Sequence, residues 1–454
     1  MIVLEAKDDY RYGLLVGRAW GAAYRRIHSR TRPLSRAALR CRQAALEESY
    51  PQALERLEGL ARAAGLERDR LLSAGPGNPL PLPGCTNFAA VPPATGDDQV
   101  YVSWNMDLPG FFRLAMGRFP LFVRRIGTHK PYLCTGSPLL FGLGIMNSDG
   151  LCAALNSVGV TDGGPGLTAF ELNNLQMETC STTEEAVALV EKGPRGVFSG
   201  IYAAILLNSN MLLADCRGEA AVVEYSHNHV AVARASEHGG VLASANHHQF
   251  LDRGLSGCPD PGTQSEIAGS WARLARMWRL LELHRGRLDP EAASAITSDH
   301  GADYSTLVEY GIKRPWFGER IDDSTICAHP WNTWNHLRRG EIQEALTERL
   351  ISLTLYRYLM QPLRCTVWLG RGYPCRSQYR PVFVGDLLEM PWTDKARGEM
   401  EPEGFGRALK ERGGRGVFFS RPVSDTALQR AARWVLVSVV IGLDRSFGKM
   451  QGRS

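Results

Sequence analysis

Apolar residues in the N-terminal part of the chain recur at the spacing of an amphipathic helix. From Tyr12 to about Ser73 the chain is rich in Ala, Leu, Arg and Glu, which favour helices, and apolar positions such as Leu57 and Leu60 repeat at helical spacing. The pattern stops at the Gly- and Pro-rich stretch 75–83, because these residues interrupt regular structure. The sequence therefore predicts a helical N-terminal segment that ends at a clear boundary.

Beyond that boundary the pattern changes to short apolar runs that are typical of β-strands. The runs predicted as strands are Asn87–Val91, Gln99–Trp104, Leu151–Val158, Tyr202–Leu207, Ala220–Tyr225, Val230–Ala235, Leu350–Tyr356 and Cys365–Leu369. Helical periodicity returns in the segments Ala169–Glu178, Thr183–Glu191, Ser265–Arg285 and Pro290–Thr297. Strands, then helices, then strands again predict an α+β fold of packed layers rather than repeating βαβ units.

The last part of the chain has a different composition from the strand-rich region. Trp392–Gly416 is charged and Gly-rich, which predicts a loop, and Asp425–Phe447 has the pattern of an amphipathic helix. We therefore expect residues 391–454 to form a C-terminal extension of loop and helix.

Composition excludes several classes of protein. The 454 residues are 44% hydrophobic and 22% charged, which is typical of a globular protein. The chain has 52 basic and 47 acidic residues. The basic residues form no dense cluster, so we expect no nucleic-acid partner. No stretch reaches the roughly 18 consecutive apolar residues of a membrane span, and charges near Met1 replace the apolar core of a signal peptide. We expect a cytoplasmic protein without a membrane partner.

The ten Cys residues are scattered singly, without a C-x-x-C pair or a regular spacing. This arrangement indicates neither a disulfide framework nor a zinc ribbon, and it fits a reducing compartment. The sequence predicts no metal and no cofactor.

Cys85 follows Gly84 where the Gly/Pro-rich stretch meets the first predicted strand. One interpretation is a small residue that begins a strand. The other is a nucleophile that becomes the first residue of a mature chain, with its own α-amine as the base. An α-amine titrates at a pH of about 7.7–8.0, close to working pH, which suits that task.

Four polar residues at the ends of predicted strands are further candidates. Asn105, Asp107, Asn156 and Asn246 each follow or end an apolar run, where Asn and Asp are often turn residues. In the functional interpretation, Asp107 pairs with the α-ammonium group of Cys85. An Asn amide can donate a hydrogen bond to a developing oxyanion.

These pieces occur in an order that resembles the isopenicillin N acyltransferase family, autoproteolytic members of the N-terminal nucleophile (Ntn) hydrolases. The resemblance runs from about Leu15 to Pro374. The motifs that carry it are VGRAWGAAYRR, GCTNFAA, VSWNMDL, GLGIMNSDGLCAALNSVGVTDGGPG, ASANHHQ, GSWARLARM, STICAHP and TVWLGRGYPC.

The resemblance implies a four-layer αββα Ntn-hydrolase sandwich preceded by a helical pro-segment. It implies self-cleavage between Gly84 and Cys85. The chain is then expected to divide into a small subunit of residues 1–84, a core of residues 85–390 and the extension of residues 391–454. The two cleavage fragments are expected to stay associated as a heterodimer.

The resemblance also assigns roles to individual residues. Cys85 corresponds to the nucleophile, Asp107 to the residue that holds its amine, and Asn246 to an oxyanion donor. Asn156 and Asn105 are assigned to the substrate or oxyanion pocket. Arg273 falls in a W-x-R-like stretch and has a weaker claim, including a purely structural one.

The implied activity is the formation of an acyl-thioester on Cys85 and its transfer to an amine or to water. The implied substrate is an amide-bearing small molecule or peptide of specialised metabolism, with acyl-coenzyme A or another acyl thioester as a donor. Two alternatives remain at this point. One is a metal-dependent hydrolase that uses His227, His229, His247 and His248, which otherwise are exposed hairpin residues; the other is a non-catalytic binding protein of the same fold.

Overall fold

Two β-sheets and the helices that cover them make up the part of the chain that the computed structural model describes. The described residues are 2–28, 36–74, 85–109, 121–135, 142–196, 209–258, 268–301, 325–328, 337–340 and 352–399. None of the helices within these ranges has the length and apolar character that a helix needs to cross a bilayer.

The N-terminal segment is helical, as the periodicity predicts. Its helices are α1 (Asp9–His28), α2 (Arg36–Ser49), α3 (Pro51–Ala64) and α4 (Arg68–Ala74). Helices α1 and α3 pack closely because Gly13 and Gly59 leave no room for a Cβ atom at the crossing. Helix α3 has Pro51 in its first turn and ends at Gly65, whose φ of 65° is the left-handed conformation that glycine adopts readily.

The first sheet has eight strands. In spatial order they are β1 (Ile2–Ala6), β4 (Leu121–Ile126), β5 (Tyr132–Thr135), β6 (Leu143–Asn147), β7 (Cys152–Ser157), β8 (Ser209–Ala214), β9 (Ala220–Tyr225) and β10 (Val230–Arg234). Strand β1 pairs in parallel with β4, and the other neighbours are antiparallel. The N-terminal segment therefore contributes a strand to the core sheet, which the sequence did not predict.

The second sheet has six strands and carries Cys85. In spatial order they are β11 (Val241–Ser244), β2 (Cys85–Ala90), β3 (Tyr101–Pro109), β12 (Ser352–Gln361), β13 (Thr366–Arg371) and β14 (Arg380–Phe383). All neighbours are antiparallel. Cys85 thus begins a strand in the interior of the sheet and not at its edge.

The two sheets face each other, and helices cover their outer faces. Strands β7 and β8 pack against β2 and β11, which makes the inner interface. Helices α5 (Ala169–Thr179) and α6 (Thr183–Lys192) cover the first sheet, while α8 (Ala268–His284) and α9 (Pro290–Thr297) cover the second. This order of layers confirms the predicted α+β fold class and the αββα sandwich.

Short helices complete the described chain. Helix α7 (Arg253–Ser256) follows β11, and α10 (Gly385–Leu388) and α11 (Thr393–Glu399) follow β14. The predicted loop from Trp392 is wrong over α11, where a helix forms with Asp394 in its first turn. The predicted strand Tyr202–Leu207, the rest of the C-terminal loop and the predicted helix Asp425–Phe447 lie outside the described residues.

The second strand extends beyond the predicted Gln99–Trp104, because β3 runs from Tyr101 to Pro109. Asn105 and Asp107 pair in register with Arg357 and Thr354 of β12, so both polar residues lie within the ladder. A β-bulge in β12 lies opposite this point. Polar residues are retained inside the strand because their side chains have buried hydrogen-bond partners.

A buried ionic cluster joins the N-terminal helices to the core. Arg56 of α3 donates to Asp9 at 2.5 Å and to Glu178 of α5 at 2.7 and 2.8 Å, and the Tyr50 hydroxyl also donates to Glu178 at 2.8 Å. Burial acts to raise the pKa of Glu178, but the Arg56 guanidinium holds it below the usual 4.5. Removal of either partner of a buried ion pair leaves the other charge uncompensated, so the stability of the protein depends on both Arg56 and Glu178.

We expect Glu178→Gln to lower the free energy of unfolding by about 3–5 kcal/mol at neutral pH, because it leaves the Arg56 charge buried without its partner. The lowered pKa of Glu178 means that its contribution exists above pH 4.5 and is lost as the pH falls through the folded pKa. Urea unfolding at several pH values should show the gap to wild type closing in acid. The exposed Glu191 of α6 provides the control: Glu191→Gln should change stability by less than about 0.5 kcal/mol. An equally small effect at Glu178 would contradict this account.

Candidate active site

Cys85 lies at the start of β2 with only 2% of its surface exposed. It pairs with Met106 of β3, and both side chains belong to the core between the two sheets. The next residue, Thr86, faces the opposite side of the sheet, where α8 packs, because successive strand residues alternate. The backbone at Cys85 is thus fixed by a ladder on one side and by contacts to α8 on the other.

Asn246, which follows β11, is the side chain that holds the Cys85 nitrogen. The Cys85 backbone N–H donates to Asn246 Oδ1 at 2.9 Å. Arg273 of α8 donates to the same oxygen at 2.7 Å, and its Nε donates to Thr86 Oγ1 at 3.1 Å. The structure therefore brings Cys85, Asn246 and Arg273 into one hydrogen-bonded group.

The orientation of the Asn246 amide is determined by its neighbours. Two donors converge on Oδ1, and Nδ2 donates to the Ser157 carbonyl oxygen at 2.9 Å at the end of β7. The Asn246 backbone N–H donates to Ser270 Oγ at 2.8 Å, which anchors the residue to α8. In the intact chain Asn246 thus presents an acceptor to the Cys85 nitrogen, and its donor is occupied by Ser157.

Asp107 lies on β3 directly after Met106, the residue that pairs with Cys85. The Thr354 hydroxyl of β12 donates to Asp107 Oδ1 at 2.6 Å and accepts the Ala328 N–H at 3.0 Å. The Asp107 backbone N–H is directed at the Cys85 sulfur. The carboxylate is buried with 1% exposure, and its negative charge acts on the Cys85 thiol.

Burial raises the pKa of the Cys85 thiol to about 12, and the Asp107 carboxylate adds to the rise. The Asp107 backbone N–H and the Arg273 guanidinium act in the opposite direction. In the intact chain the thiol is therefore neutral at physiological pH. Reaction at Cys85 requires a base in direct reach of the sulfur.

The two other predicted pocket residues have different positions. Asn105 Nδ2 donates to the carbonyl oxygens of Thr297 and Ile326, both at 2.9 Å, so its side chain faces α9 and not the Cys85 side of the sheet. Asn156 Nδ2 donates to Ser244 Oγ at 3.0 Å between the sheets. Asn105 thus connects β3 to the end of α9 and to the segment 325–328. Asn156 instead lies in the interface between the sheets, which contains Cys85.

The histidines of the metal alternative do not form a cluster. His247 Nδ1 is 2.8 Å from Ser270 Oγ and His248 Nδ1 is 2.9 Å from Ser256 Oγ, whereas His227 Nδ1 is 2.7 Å from the Arg195 carbonyl oxygen. Both His247 and His248 are buried, so the interpretation as exposed hairpin residues is wrong for them. Burial lowers the pKa of His247 well below 6.5, which keeps the imidazole neutral.

Three further residues belong to the site, and of these only Arg273 is a candidate from the sequence alone. Arg273 contacts both Thr86 and Asn246, and Thr354 holds Asp107. Asn87 lies two residues beyond Cys85 on the same face and is fully buried, and neither atom of its amide has a partner among the described residues. Asn87 lies inside the GCTNFAA motif and Arg273 inside the W-x-R-like stretch, whereas no local pattern points to Thr354.

Comparison with known proteins supports the resemblance inferred from the motifs. The sequence model of the family described as acyl-coenzyme A:6-aminopenicillanic acid acyl-transferase matches residues 114–314, less than half of the chain. The matched range contains Asn156, Asn246 and Arg273 and begins after Asp107. The resemblance to this acyltransferase family is thereby confirmed. Among curated proteins, no sequence matches this chain closely enough to be called a relative.

Similar solved structures include penicillin V acylase from Agrobacterium tumefaciens, which is 16% identical with a TM-score of 0.35. That similarity covers 68% of this chain and 88% of the acylase. The R18L variant of conjugated bile acid hydrolase from Clostridium perfringens is 12% identical with a TM-score of 0.38, and covers 66% of this chain and 93% of the hydrolase. The fold assignment itself rests on the sheets and layers described above.

Proposed function

We propose that this protein is an autoproteolytic Ntn enzyme that forms an acyl-thioester on Cys85 and transfers the acyl group to an amine or to water. The observation that carries the proposal is the position of the Cys85 nitrogen. It is held 2.9 Å from Asn246 Oδ1, beside Arg273 and Asp107, although it is an ordinary peptide nitrogen in the intact chain. Such an environment suits a nitrogen that becomes a free α-amine.

The first step is the cleavage between Gly84 and Cys85. The Cys85 sulfur attacks the Gly84 carbonyl carbon, and the thiol proton passes to the Cys85 nitrogen as the peptide C–N bond breaks. Water then hydrolyses the resulting thioester, which leaves a carboxylate on Gly84 and a free thiol and α-amine on Cys85. This step separates residues 1–84 from a larger fragment that holds the expected core of residues 85–390 and the extension of residues 391–454.

In the mature chain the α-amine takes the proton of the Cys85 thiol as the sulfur attacks the substrate carbonyl. The Asp107 carboxylate stabilises the α-ammonium form, and Asn246 Oδ1 accepts one of its N–H bonds. Collapse of the tetrahedral intermediate transfers that proton to the leaving amine or thiol and leaves the acyl group on sulfur. Water or an acceptor amine then releases the acyl group by the same sequence in reverse.

The contacts of Asn246 support a first role other than that of the predicted oxyanion donor. Its Nδ2 is engaged with the Ser157 carbonyl oxygen, so donation to an oxyanion requires the amide to leave that partner. Positioning of the Cys85 nitrogen needs no such change. Arg273 supplies a positive charge next to the same atoms and supports negative charge as it develops.

The substrate class follows from the chemistry and the family. A cysteine nucleophile can form an acyl-thioester from an amide or, by exchange, from another thioester, and the matched family is described as acyl-coenzyme A:6-aminopenicillanic acid acyl-transferase. We therefore propose a small-molecule or peptide amide as substrate, with an acyl thioester as alternative donor.

Trapping of the acyl-enzyme tests the proposal. Mature protein mixed with an acyl thioester donor, quenched in acid and digested, should carry the acyl mass on the peptide that begins with Cys85. Bound label should be lost on addition of an acceptor amine, since the reaction is ping-pong. Label on another residue, or turnover that persists after Cys85 is blocked, would exclude the mechanism.

A further inference from the structure

Three side chains with metal-binding atoms meet behind the candidate active site. His300 follows α9, Cys327 lies in the segment 325–328, and Cys375 lies in the 3₁₀ turn Pro374–Arg376. One ligating atom from each residue lies within 4.8 Å of the other two. These residues are far apart in sequence, so the fold itself brings them together.

The spacing fits a tetrahedral metal ion. Zinc binds thiolate sulfur at about 2.3 Å and imidazole nitrogen at about 2.0–2.1 Å, so tetrahedral donors are roughly 3.5–3.8 Å apart. The three donor atoms lie within 4.8 Å of one another, so rotation of the side chains by about 1 Å at the donor atoms would bring them to that spacing. Two sulfurs and one imidazole nitrogen are the ligands that zinc and similar thiophilic ions prefer.

The local charges are compatible with such an ion. Arg376 lies near His300, and Arg357 lies near both cysteines. A divalent ion that displaces the protons of two thiols leaves the net charge of the site unchanged. The two guanidinium groups therefore do not oppose binding as they would oppose a cation held by neutral ligands.

One ligand of the site is exposed to solvent, and another is buried and held by a backbone hydrogen bond. Cys375 is exposed, His300 is partly buried and Cys327 is fully buried. The Cys327 N–H donates to the Asp299 carbonyl oxygen at 3.1 Å, and Arg276 holds the Asp299 carboxylate at 2.8 and 2.9 Å. An ion can thus enter from solvent at Cys375 while the interior ligand is held in place.

The same segment contacts the residues around Asp107. The Ile326 carbonyl oxygen accepts from Asn105, and the Ala328 N–H donates to Thr354, whose hydroxyl donates to Asp107. An ion that fixes Cys327 therefore also fixes the backbone that supports the Asp107 carboxylate. It would stabilise the candidate active site without taking part in the reaction.

We propose that His300, Cys327 and Cys375 bind one thiophilic divalent ion such as Zn²⁺, with a water molecule as fourth ligand. Binding forms two metal–sulfur bonds and one metal–nitrogen bond, and the two thiol protons pass to solvent. This site is separate from the Cys85 chemistry, because no step of the proposed reaction uses a metal.

Cobalt titration of the reduced, metal-free protein tests the site. One equivalent of Co²⁺ should produce thiolate-to-cobalt charge-transfer absorption and the intense visible bands of tetrahedral cobalt, and Zn²⁺ should displace both. Cys375→Ser, Cys327→Ser and His300→Gln should each lose the stoichiometric spectrum. Cys41→Ser changes an exposed cysteine outside the cluster and should retain the spectrum.

Three results would overturn the proposal. The first is a reduced wild-type protein that binds no cobalt, and the second is an unchanged thiolate spectrum in Cys375→Ser. The third is a Cys327–Cys375 disulfide in oxidised protein together with no metal binding after reduction, which would make the pair a redox pair. Since Cys375 is exposed, its serine variant should fold normally, and circular dichroism checks this.

Discussion

Cys85→Ala should leave the purified chain as one species of 50.1 kDa and abolish turnover. Wild-type protein should instead separate under denaturing conditions into a fragment of about 9 kDa, the share of 84 residues in 454, and a larger remainder. The expected loss is complete because alanine has no atom that can attack the Gly84 carbonyl or a substrate carbonyl. Intact-mass spectrometry and an acyl-transfer assay measure the two effects.

A matched control separates chemistry from packing. Cys134→Ala makes the same substitution at a fully buried cysteine of β5 in the other sheet. It should cleave normally and retain turnover, with only the small loss of stability that a truncated core side chain causes. A single uncut species in active wild-type protein would contradict the proposed cleavage, and activity in Cys85→Ala would contradict the proposed nucleophile.

Cleavage should not release the small fragment under native conditions. Strand β1 is part of the first sheet through its pairing with β4, and Arg56 and Glu178 join the N-terminal helices to α5. A β-strand and a buried ion pair cannot leave without exposing the core. The structure thus supports the expectation that the fragments stay together, and native mass spectrometry measures it.

How much of the fold the sequence predicts depends on the kind of pattern each element has. Helix α9 and strand β9 were predicted with the observed bounds, since a capped helix and an apolar run of six residues have clear local patterns. Strands β5 and β11 were missed because each has four residues, too few to establish a period. Strand β1 was missed because charged residues follow it closely at the edge of its sheet.

The polar residues of the candidate site have partners that are far away in the sequence. Asn105 and Asp107 were interpreted as the end of a strand because such residues are usual in turns. They lie within β3 because buried groups form hydrogen bonds with their side chains: the Asn105 amide donates to backbone carbonyl oxygens, and Asp107 accepts from Thr354, 247 positions away. Arg273 reaches Asn246 in the same way. Contacts between distant segments leave no trace in the local pattern of one sequence.

Asp107→Asn should lower turnover by about 10²–10⁴-fold, the usual contribution of acid–base catalysis. The amide has the size of the carboxyl group and can still accept a hydrogen bond from Thr354, so the main change is the loss of negative charge. That charge stabilises the α-ammonium form of Cys85, and its removal lowers the pKa of the amine. The active form has a free amine, so the acid limb of the pH–rate profile should move to lower pH.

The direction of that shift distinguishes the proposed role from a structural one. Substitution of a residue that only supports the fold would lower turnover at every pH and would not change the pH at which the acid limb of the pH–rate profile lies. Asp98→Asn is the matched control, because Asp98 is an exposed carboxylate before the same strand and its φ of 55° suits asparagine. It should retain both turnover and profile. An unshifted limb in correctly processed Asp107→Asn protein would show that Asp107 does not act on the Cys85 amine.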